Sequence, residues 1–187
     1  MPQVLSKKLK YKSRIFEIYD LKLQFDNGVK VDYEILYKDT VWTSMIVPID
    51  QEGNVYFIRE YFAAIDEYQI CLPKGGVNYT SDKENRTAIE AANEELQEEI
   101  GMKAGKLISL GKFTNSPGSI NKASEIFLAT ELIISKIQGD EPEELQVVKY
   151  PLKDFEKLID NGELTEARAI AGLFLAKRYF KKYATAI

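Results

Sequence analysis

The chain has 187 residues, 45% of them hydrophobic, and a net charge of −4, which together favour a folded domain with a substantial core. This mild acidity gives no general attraction to nucleic acid, whose binding depends on neutralising phosphates. Histidine is absent, which excludes Ser-His-Asp and Cys-His catalysis and any zinc site built on imidazole.

The first part of the chain has the pattern of an antiparallel β-hairpin. Residues between Arg14 and Tyr37 alternate roughly between apolar and polar, and Asp26-Asn27-Gly28 supplies a turn with positive φ. We therefore predict an N-terminal hairpin region over residues 1–45 and one main domain over residues 46–187.

Short apolar runs bounded by glycine, proline and asparagine predict five further strands. They are Trp42–Ile49, Val55–Arg59, Tyr68–Leu72, Lys106–Phe113 and Ser124–Ala129. The third of these ends in Pro73-Lys74-Gly75-Gly76, which we interpret as a loop because glycine allows backbone conformations that other residues avoid.

Two segments have the spacing of amphipathic helices. The first is predicted over Thr87–Ile100 and ends at Gly101, in the usual position of a C-cap glycine. Its apolar stripe consists of Ile89, Ala92, Leu96 and Ile100. The second is predicted over Thr165–Tyr183. We expect its buried face to contain Ala169, Leu173, Phe174, Ala176 and Phe180.

Three carboxylates crowd one side of the first helix. Glu95, Glu98 and Glu99 are related as i, i+3 and i+4, so they share a face beside the apolar stripe. At ~6 Å and an effective dielectric of ~20, each pair repels by about 3 kcal/mol before solvent screening. An acidic helix face is most often simply solvated, but a bound cation would also remove this repulsion. Without histidine and with one cysteine, that cation needs oxygen ligands, which favours Mg²⁺ or Mn²⁺.

The context of these glutamates resembles the Nudix box, G-x5-E-x7-R-E-U-x-E-E-x-G-U, where U is apolar. The chain has Gly75 after a strand and then E-L-Q-E-E-I-G-M over residues 95–102. In that family the glutamates bind divalent metal ions that bridge a pyrophosphate. The resemblance implies that Glu95 and Glu99 are the main metal ligands and Glu98 an assisting ligand or base. It also implies that the Lys74 carbonyl, just before the box glycine, is a backbone ligand.

The box departs from the family pattern at two positions whose spacing the pattern fixes. Glu94 stands where the pattern has arginine and Arg86 where it has glutamate, and the segment after Gly75 is five residues longer. Either Arg86 and Glu94 form the family's supporting contact with exchanged signs, or the positions have drifted and Glu84 or Asp82 takes the acidic role. The family arginine helps to hold the neighbouring catalytic glutamate, so Glu94 could lower activity.

Similarity beyond the box extends over almost the whole chain. Matching segments occur in order at Ser13–Phe16, Phe25–Val29, Met45–Ile49, Ile58–Tyr61, Glu90–Asn93, Gly139–Glu143 and Glu166–Arg168. They resemble the ADP-compounds hydrolase branch, which is similar to the ADP-ribose pyrophosphatases. The resemblance implies an α/β (α+β) fold, an α/β/α sandwich around a mixed sheet with the hairpin annexed. It also implies a homodimer whose hairpin forms the interface and part of the partner's nucleotide pocket.

The same resemblance implies the reaction, which is Mg²⁺-dependent cleavage of ADP-ribose, NADH or diadenosine polyphosphates to AMP and a second phosphate product. Glu141 and then Glu143 are favoured as catalytic base, with an acidic solvent turn as the alternative. Arg59 is a candidate for phosphate or adenine contact, or only an ion-pair partner. Ser116 and Gly118 match a loop that lines the site, although Ser116-Pro117-Gly118 also suits a type II turn.

Three alternatives to this function stay open at the level of sequence. The substrate could be another nucleoside diphosphate compound, the domain could be catalytically weak and sense such a ligand, or the acidic helix could simply solubilise an α+β scaffold. The chain has no signal-peptide pattern, no apolar run near the ~18 residues that cross a bilayer, and a single cysteine, Cys71. We therefore expect a cytoplasmic protein with a small-molecule substrate and no membrane or nucleic-acid partner.

Overall fold

The computed structural model describes residues 1–37, 42–77, 86–139 and 141–183. Within these ranges lie ten strands and three α-helices. The strands are β1 (Gln3–Lys12), β2 (Glu17–Gln24), β3 (Lys30–Tyr37), β4 (Trp42–Pro48), β5 (Asn54–Phe62), β6 (Glu67–Cys71), β7 (Lys74–Gly76), β8 (Met102–Ser116), β9 (Ile120–Ile134) and β10 (Gln146–Pro151). The helices are α1 (Ala88–Glu99), α2 (Glu156–Asp160) and α3 (Ala167–Tyr183).

The chain divides into two compact units. Unit 1 consists of Met1–Val41 and Thr114–Ser124, and unit 2 consists of Trp42–Phe113 and Glu125–Ile187. Strands β8 and β9 therefore contribute residues to both units.

Unit 1 is built on an antiparallel meander of β1, β2 and β3. The predicted hairpin corresponds to β2 and β3, and Gly28 at its turn has a φ of +82°. Strand β1 was not predicted, because register shifts between Val4 and Ser6 and between Leu9 and Tyr11 break the two-residue period. Leu36 of β3 pairs in parallel with Ile120 of β9, which makes the sheet mixed.

Unit 2 places helices on both sides of β4. Met45 and Val47 belong to an apolar cluster that includes Leu173 of α3. Ile46, which points to the opposite face of the strand, belongs to a second cluster that includes Leu96 of α1. Strand β4 lies between β9 and β7, while β10, β5 and β6 form a separate antiparallel sheet. This confirms the predicted α+β class and its helix–sheet–helix layering.

Helix α1 has the ends that its sequence predicts. Thr87 and Glu90 form a reciprocal capping box, and Gly101 follows the helix with a φ of +70°. The expected apolar stripe was wrong at Ile89, which is 52% exposed. Ala91 and Glu99, which were not part of the expected stripe, are buried instead.

Three other expectations need correction. Residues 74–76 are not a loop but strand β7, which pairs antiparallel with β4 through Thr43 and Gly76. Phe174 is not buried in α3. It is 47% exposed, and its ring packs edge-on against Phe155 at 5.0 Å, while Gly172 takes the buried position. Strands β8 and β9 have 15 residues each and extend well beyond the predicted segments, and β10 and α2 were not predicted.

None of the helices in the described part of the chain combines the length and the apolar character needed to span a membrane.

The close approach of α3 to the sheet gives a test of this packing. A Cβ at Gly172 would lie 3.2 Å from Val47 Cγ2 and 3.3 Å from side-chain atoms of Ile126 and Leu72. We expect Gly172→Val to lower the free energy of unfolding by about 1–3 kcal/mol, because the site has no room for the added atoms. Urea unfolding measures this. The control is Ala171→Val at the neighbouring exposed position, which should cost less than about 1 kcal/mol; equal losses would contradict the packing.

Candidate active site

The centre of the site is the contact between β7 and α1. A Cβ added at Gly75 would overlap the carboxylate of Glu95, so this carboxylate lies directly against the strand backbone. Only glycine allows that approach, since every other residue would place an atom where the Glu95 oxygens are. The box glycine and the first box glutamate of the sequence are therefore in contact.

Glu99, the last residue of α1, lies against the same strand at Lys74, one residue before Gly75. Its side chain is buried, with 6% of the residue exposed, and one carboxylate oxygen accepts a hydrogen bond of 2.9 Å from the Lys74 amide. Burial raises the pKa of Glu99 well above its ordinary value, and the charges of Glu95 and Glu141 add to this. The ammonium and amide of Lys74 act in the opposite direction. The protein thus holds a carboxylate where its negative charge is poorly solvated.

The side chain of Lys74 extends toward β5 and β6. Its Nζ forms an ion pair with Glu60 of β5 and lies 3.6 Å from the Cys71 sulfur. Burial acts to lower the pKa of Lys74, but the surrounding acidic groups outweigh it and the pKa is raised. Burial also raises the pKa of the Cys71 thiol to about 12. The lysine therefore stays charged and the cysteine stays protonated at neutral pH.

Arg86 and Glu94, the two reversed positions of the box, form an ion pair. The arginine also donates from Nε to the Val77 carbonyl at 3.1 Å and from a terminal nitrogen to the Gly76 carbonyl. Its side chain is only 9% exposed. The alternative acidic partners, Asp82 and Glu84, lie outside the described residues.

The two candidate bases have different surroundings. Glu141 lies close enough to Glu99 for its charge to raise the Glu99 pKa. Glu143 instead accepts a hydrogen bond of 2.8 Å from the Tyr68 hydroxyl. Near the second half of α1, a Cβ at Gly139 would lie 3.1 Å from Glu98 Cβ, so Gly139 itself lies beside Glu98. Of the two candidates, Glu141 is the one placed with the box glutamates.

Arg59 is not brought together with these glutamates. Its neighbours on β5, Ile58 and Glu60, face α1 and Lys74, and alternation along the strand turns Arg59 to the opposite face. There its guanidinium lies 5.6 Å from the ring centre of Tyr68.

Ser116 and Gly118 belong to unit 1, where Ser116 ends β8 and Gly118 lies in the turn between β8 and β9. The Ser119 amide donates to the Ser116 carbonyl at 3.1 Å. Gly118 has no positive φ, so this is not a type II turn.

The residues fit an oxygen-coordinated divalent ion in part. Across the described ranges, no three carboxylate or thiol groups converge into a ready-made metal site. Two carboxylates, Glu95 and Glu99, nevertheless lie against residues 74 and 75, one of them buried with a raised pKa. A hard cation suits these donors, since carboxylate and carbonyl oxygens are the ligands that Mg²⁺ and Mn²⁺ take.

Sequence reasoning missed Glu60 and the side chain of Lys74. The predicted strand ended at Arg59, whereas β5 continues to Phe62, so Glu60 was not recognised as a strand residue facing α1. The available signal was alternation, because Ile58, Glu60 and Phe62 are the positions that share a face.

Comparison with known proteins gives consistent relatives. The chain is 32% identical over 180 residues to the ADP compounds hydrolase NudE of Escherichia coli (strain K12), which covers 96% of this chain and 94% of that protein. It is 24% identical over 168 residues to the ADP-ribose pyrophosphatase of Bacillus subtilis (strain 168), covering 89% and 87% of the two chains. A crystal structure of an ADP compounds hydrolase superimposes with a TM-score of 0.89 and 31% identity, covering 98% of this chain and 97% of that one. No sequence-family model matches the chain.

The contact between Gly75 and Glu95 predicts how a single methyl group would affect metal binding. In Gly75→Ala the new Cβ must displace the Glu95 carboxylate, which is the movable end of a flexible side chain. We expect the affinity for Mn²⁺, measured by titration, to fall by about 10- to 100-fold. Thermal unfolding of the metal-free variant should change little, and unchanged Mn²⁺ affinity would contradict the assigned contact.

Proposed function

Because the chain belongs to the Nudix hydrolases, in the branch of the ADP compounds hydrolases and ADP-ribose pyrophosphatases, we propose that it cleaves the pyrophosphate of ADP-linked compounds with the help of a divalent cation. Proposed substrates are ADP-ribose, NADH and diadenosine polyphosphates. A water molecule adds to one phosphorus, the bridging P–O bond breaks, and AMP leaves with a second phosphate product. The observation that carries this proposal is the placement of Glu95 and Glu99 against β7.

Each residue of the site has a proposed role. Glu95, Glu99 and the Lys74 carbonyl would hold Mg²⁺ or Mn²⁺, with Glu98 assisting. The ion, when bound, would neutralise the pyrophosphate and polarise the bond that breaks. Glu141, which lies near Glu99, accepts the proton of the attacking water, and Glu143 is the second candidate.

Substrate contacts outside the box are proposed for Gly75, Arg59, Ser116 and Gly118. Since Arg59 faces away from Glu99, its contact would be with a part of the substrate remote from the pyrophosphate, or with a substrate held by a partner subunit. We propose a homodimer that uses the N-terminal hairpin region, residues 1–45, as its interface. Exposed apolar side chains on β1, namely Val4, Leu9 and Tyr11, support this assignment. Sedimentation of the intact chain tests the dimer.

A second candidate is a weakly catalytic domain that binds such a ligand without rapid turnover. The acidic Glu94 favours it, because it adds negative charge next to Glu95 where the family pattern has arginine. A third is cleavage of another nucleoside diphosphate compound by the same site. We also propose a cytoplasmic location, since a chain with Cys71 as its single cysteine cannot form an internal disulfide.

One assay separates these candidates. The protein is incubated with ADP-ribose, NADH and diadenosine triphosphate in the presence of Mg²⁺, and AMP is measured by chromatography. AMP release supports the proposed hydrolysis, whereas tight binding without AMP supports a ligand sensor. If these three compounds give neither AMP release nor tight binding, other diphosphates are to be tested.

Glu99→Gln tests the metal-ligand assignment. Glutamine keeps the shape of the side chain and its hydrogen bond from Lys74 but removes the charge, so we expect kcat to fall by at least about 100-fold. Folding should stay intact, because burying a neutral amide costs less than burying a carboxylate. Steady-state AMP release and circular dichroism measure the two effects. Glu156→Gln, which removes an exposed carboxylate paired with Lys177, is the control, and near-normal turnover in Glu99→Gln would show that the ligand is misassigned.

Glu94→Arg tests whether the reversed pair is needed. The substitution restores the family residue but places two guanidinium groups together, one of them on the nearly buried Arg86. We expect a loss of about 2–4 kcal/mol in unfolding free energy and lower turnover, because a buried charge loses its partner. Higher turnover than the unsubstituted enzyme would mean that the pair is dispensable.

A further inference from the structure

Arg86 makes contacts that the glutamate of the family pattern could not make. Its guanidinium donates to two backbone carbonyls, those of Gly76 and Val77, as well as to the Glu94 carboxylate. An ionised glutamate has only acceptor oxygens, so it cannot bond to a carbonyl. The exchange of signs between positions 86 and 94 is therefore not symmetrical: Arg86 makes two bonds to the strand that a glutamate at position 86 could not make.

The two carbonyls belong to the end of the strand that carries the site. Gly76 pairs with Thr43 of β4, and the Val77 amide donates to the Trp42 carbonyl at 3.1 Å. One and two residues earlier lie Gly75 and Lys74, which contact Glu95 and Glu99. A shift of this short strand would move the backbone against which both carboxylates rest.

The arginine also connects the strand to the helix. Arg86 directly precedes Thr87, the N-cap of α1, and its partner Glu94 is the helix residue just before Glu95. The guanidinium is planar and presents its N–H groups in fixed directions, which suits three acceptors at set positions. With the side chain 9% exposed, water competes little for these bonds.

We propose that Arg86 is a positioning residue that clamps the end of β7 to α1 through the Gly76 and Val77 carbonyls, and that Glu94 serves mainly to orient the guanidinium. We call these two carbonyl bonds the carbonyl clamp. The clamp fixes the distance between Gly75 and Glu95 and thereby supports the metal ligands. Its catalytic consequence rests on the proposed function, whereas its effect on the strand does not.

A set of three variants distinguishes the clamp from a simple ion pair. Arg86→Lys keeps the positive charge beside Glu94 but cannot reach three acceptors at once, so kcat should fall by about 10-fold or more with KM changed less than about 3-fold. Glu94→Gln keeps an acceptor for Arg86 and leaves the clamp in place, so kcat should stay within about 3-fold. The double exchange Arg86→Glu/Glu94→Arg restores the family pair without the clamp and should be as slow as Arg86→Lys.

Hydrogen–deuterium exchange of the metal-free protein provides a readout that does not depend on turnover. We expect the amides of residues 75–77 to exchange at least about 10-fold faster in Arg86→Lys and in the double exchange, and at nearly the original rate in Glu94→Gln. If the unsubstituted protein releases no AMP, the proposed function fails while this exchange measurement still tests the clamp.

Two results would overturn the proposal. The first is recovery of turnover and amide protection by the double exchange, which would make the ion pair sufficient. The second is a Glu94→Gln variant as impaired as Arg86→Lys, which would make Glu94 more than an orienting partner. If Arg86→Lys unfolds, Arg86→Ala with added methylguanidinium replaces it. Recovery of both readouts then supports the clamp, and no recovery contradicts it.

Discussion

The carboxylates of Glu95 and Glu99 lie against the backbone of a three-residue strand, and the rest of the site depends on this contact. Gly75 permits it because glycine has no side chain, and the Lys74 amide fixes it through a hydrogen bond to Glu99. The cost is electrostatic, since one of the two carboxylates is buried close to other negative charges. A divalent cation bound between them would remove this repulsion. The repulsion would therefore favour binding of the cation and, with it, of the pyrophosphate.

The surrounding cations explain how the chain bears this arrangement although its box has a glutamate in place of arginine. Lys74 lies near Glu99 and is itself held by Glu60, while Arg86 neutralises Glu94 from the side of the helix N-terminus. The positive charge that the family pattern places on the helix is thus found on the strand and at the start of the helix. Lys74 is part of the segment 74–77, and Arg86 donates hydrogen bonds to two carbonyls of that segment. Charge balance and positioning of the strand are therefore linked.

Sequence patterns predicted the elements whose signals are local. The start of α1 at Thr87, the glycine after α1 and the apolar run of β4 each depend on a few neighbouring residues, and the structure contains all three. Patterns gave wrong predictions where contacts between residues far apart in the sequence determine burial or strand pairing. The apolar spacing of α1 predicted that Ile89 is buried, but Ala91 and Glu99 are buried and Ile89 is exposed. Residues 74–76 looked like a glycine loop, because pairing with β4 is not visible in three residues.

For the site, residue types and spacing selected the glutamates of α1 but not the groups that surround them. Glu60 became recognisable only when β5 was seen to continue to Phe62. The reversed signs at positions 86 and 94 offered an ion pair of Arg86 and Glu94 as one of two interpretations, whereas the two carbonyl partners of Arg86 depend on where β7 ends. The difference between Glu141 and Glu143 likewise needed coordinates, since the two residues are separated by only one position.

Whether a divalent ion binds between Glu95 and Glu99 is the question that tests this account most directly. Mn²⁺ titration followed by electron paramagnetic resonance, with a non-cleavable ADP analogue present, measures it in the intact protein. The account predicts a bound ion in the unsubstituted chain and its loss in the Glu95→Gln/Glu99→Gln double variant. Equal Mn²⁺ binding by the two proteins, or none by either, would contradict it.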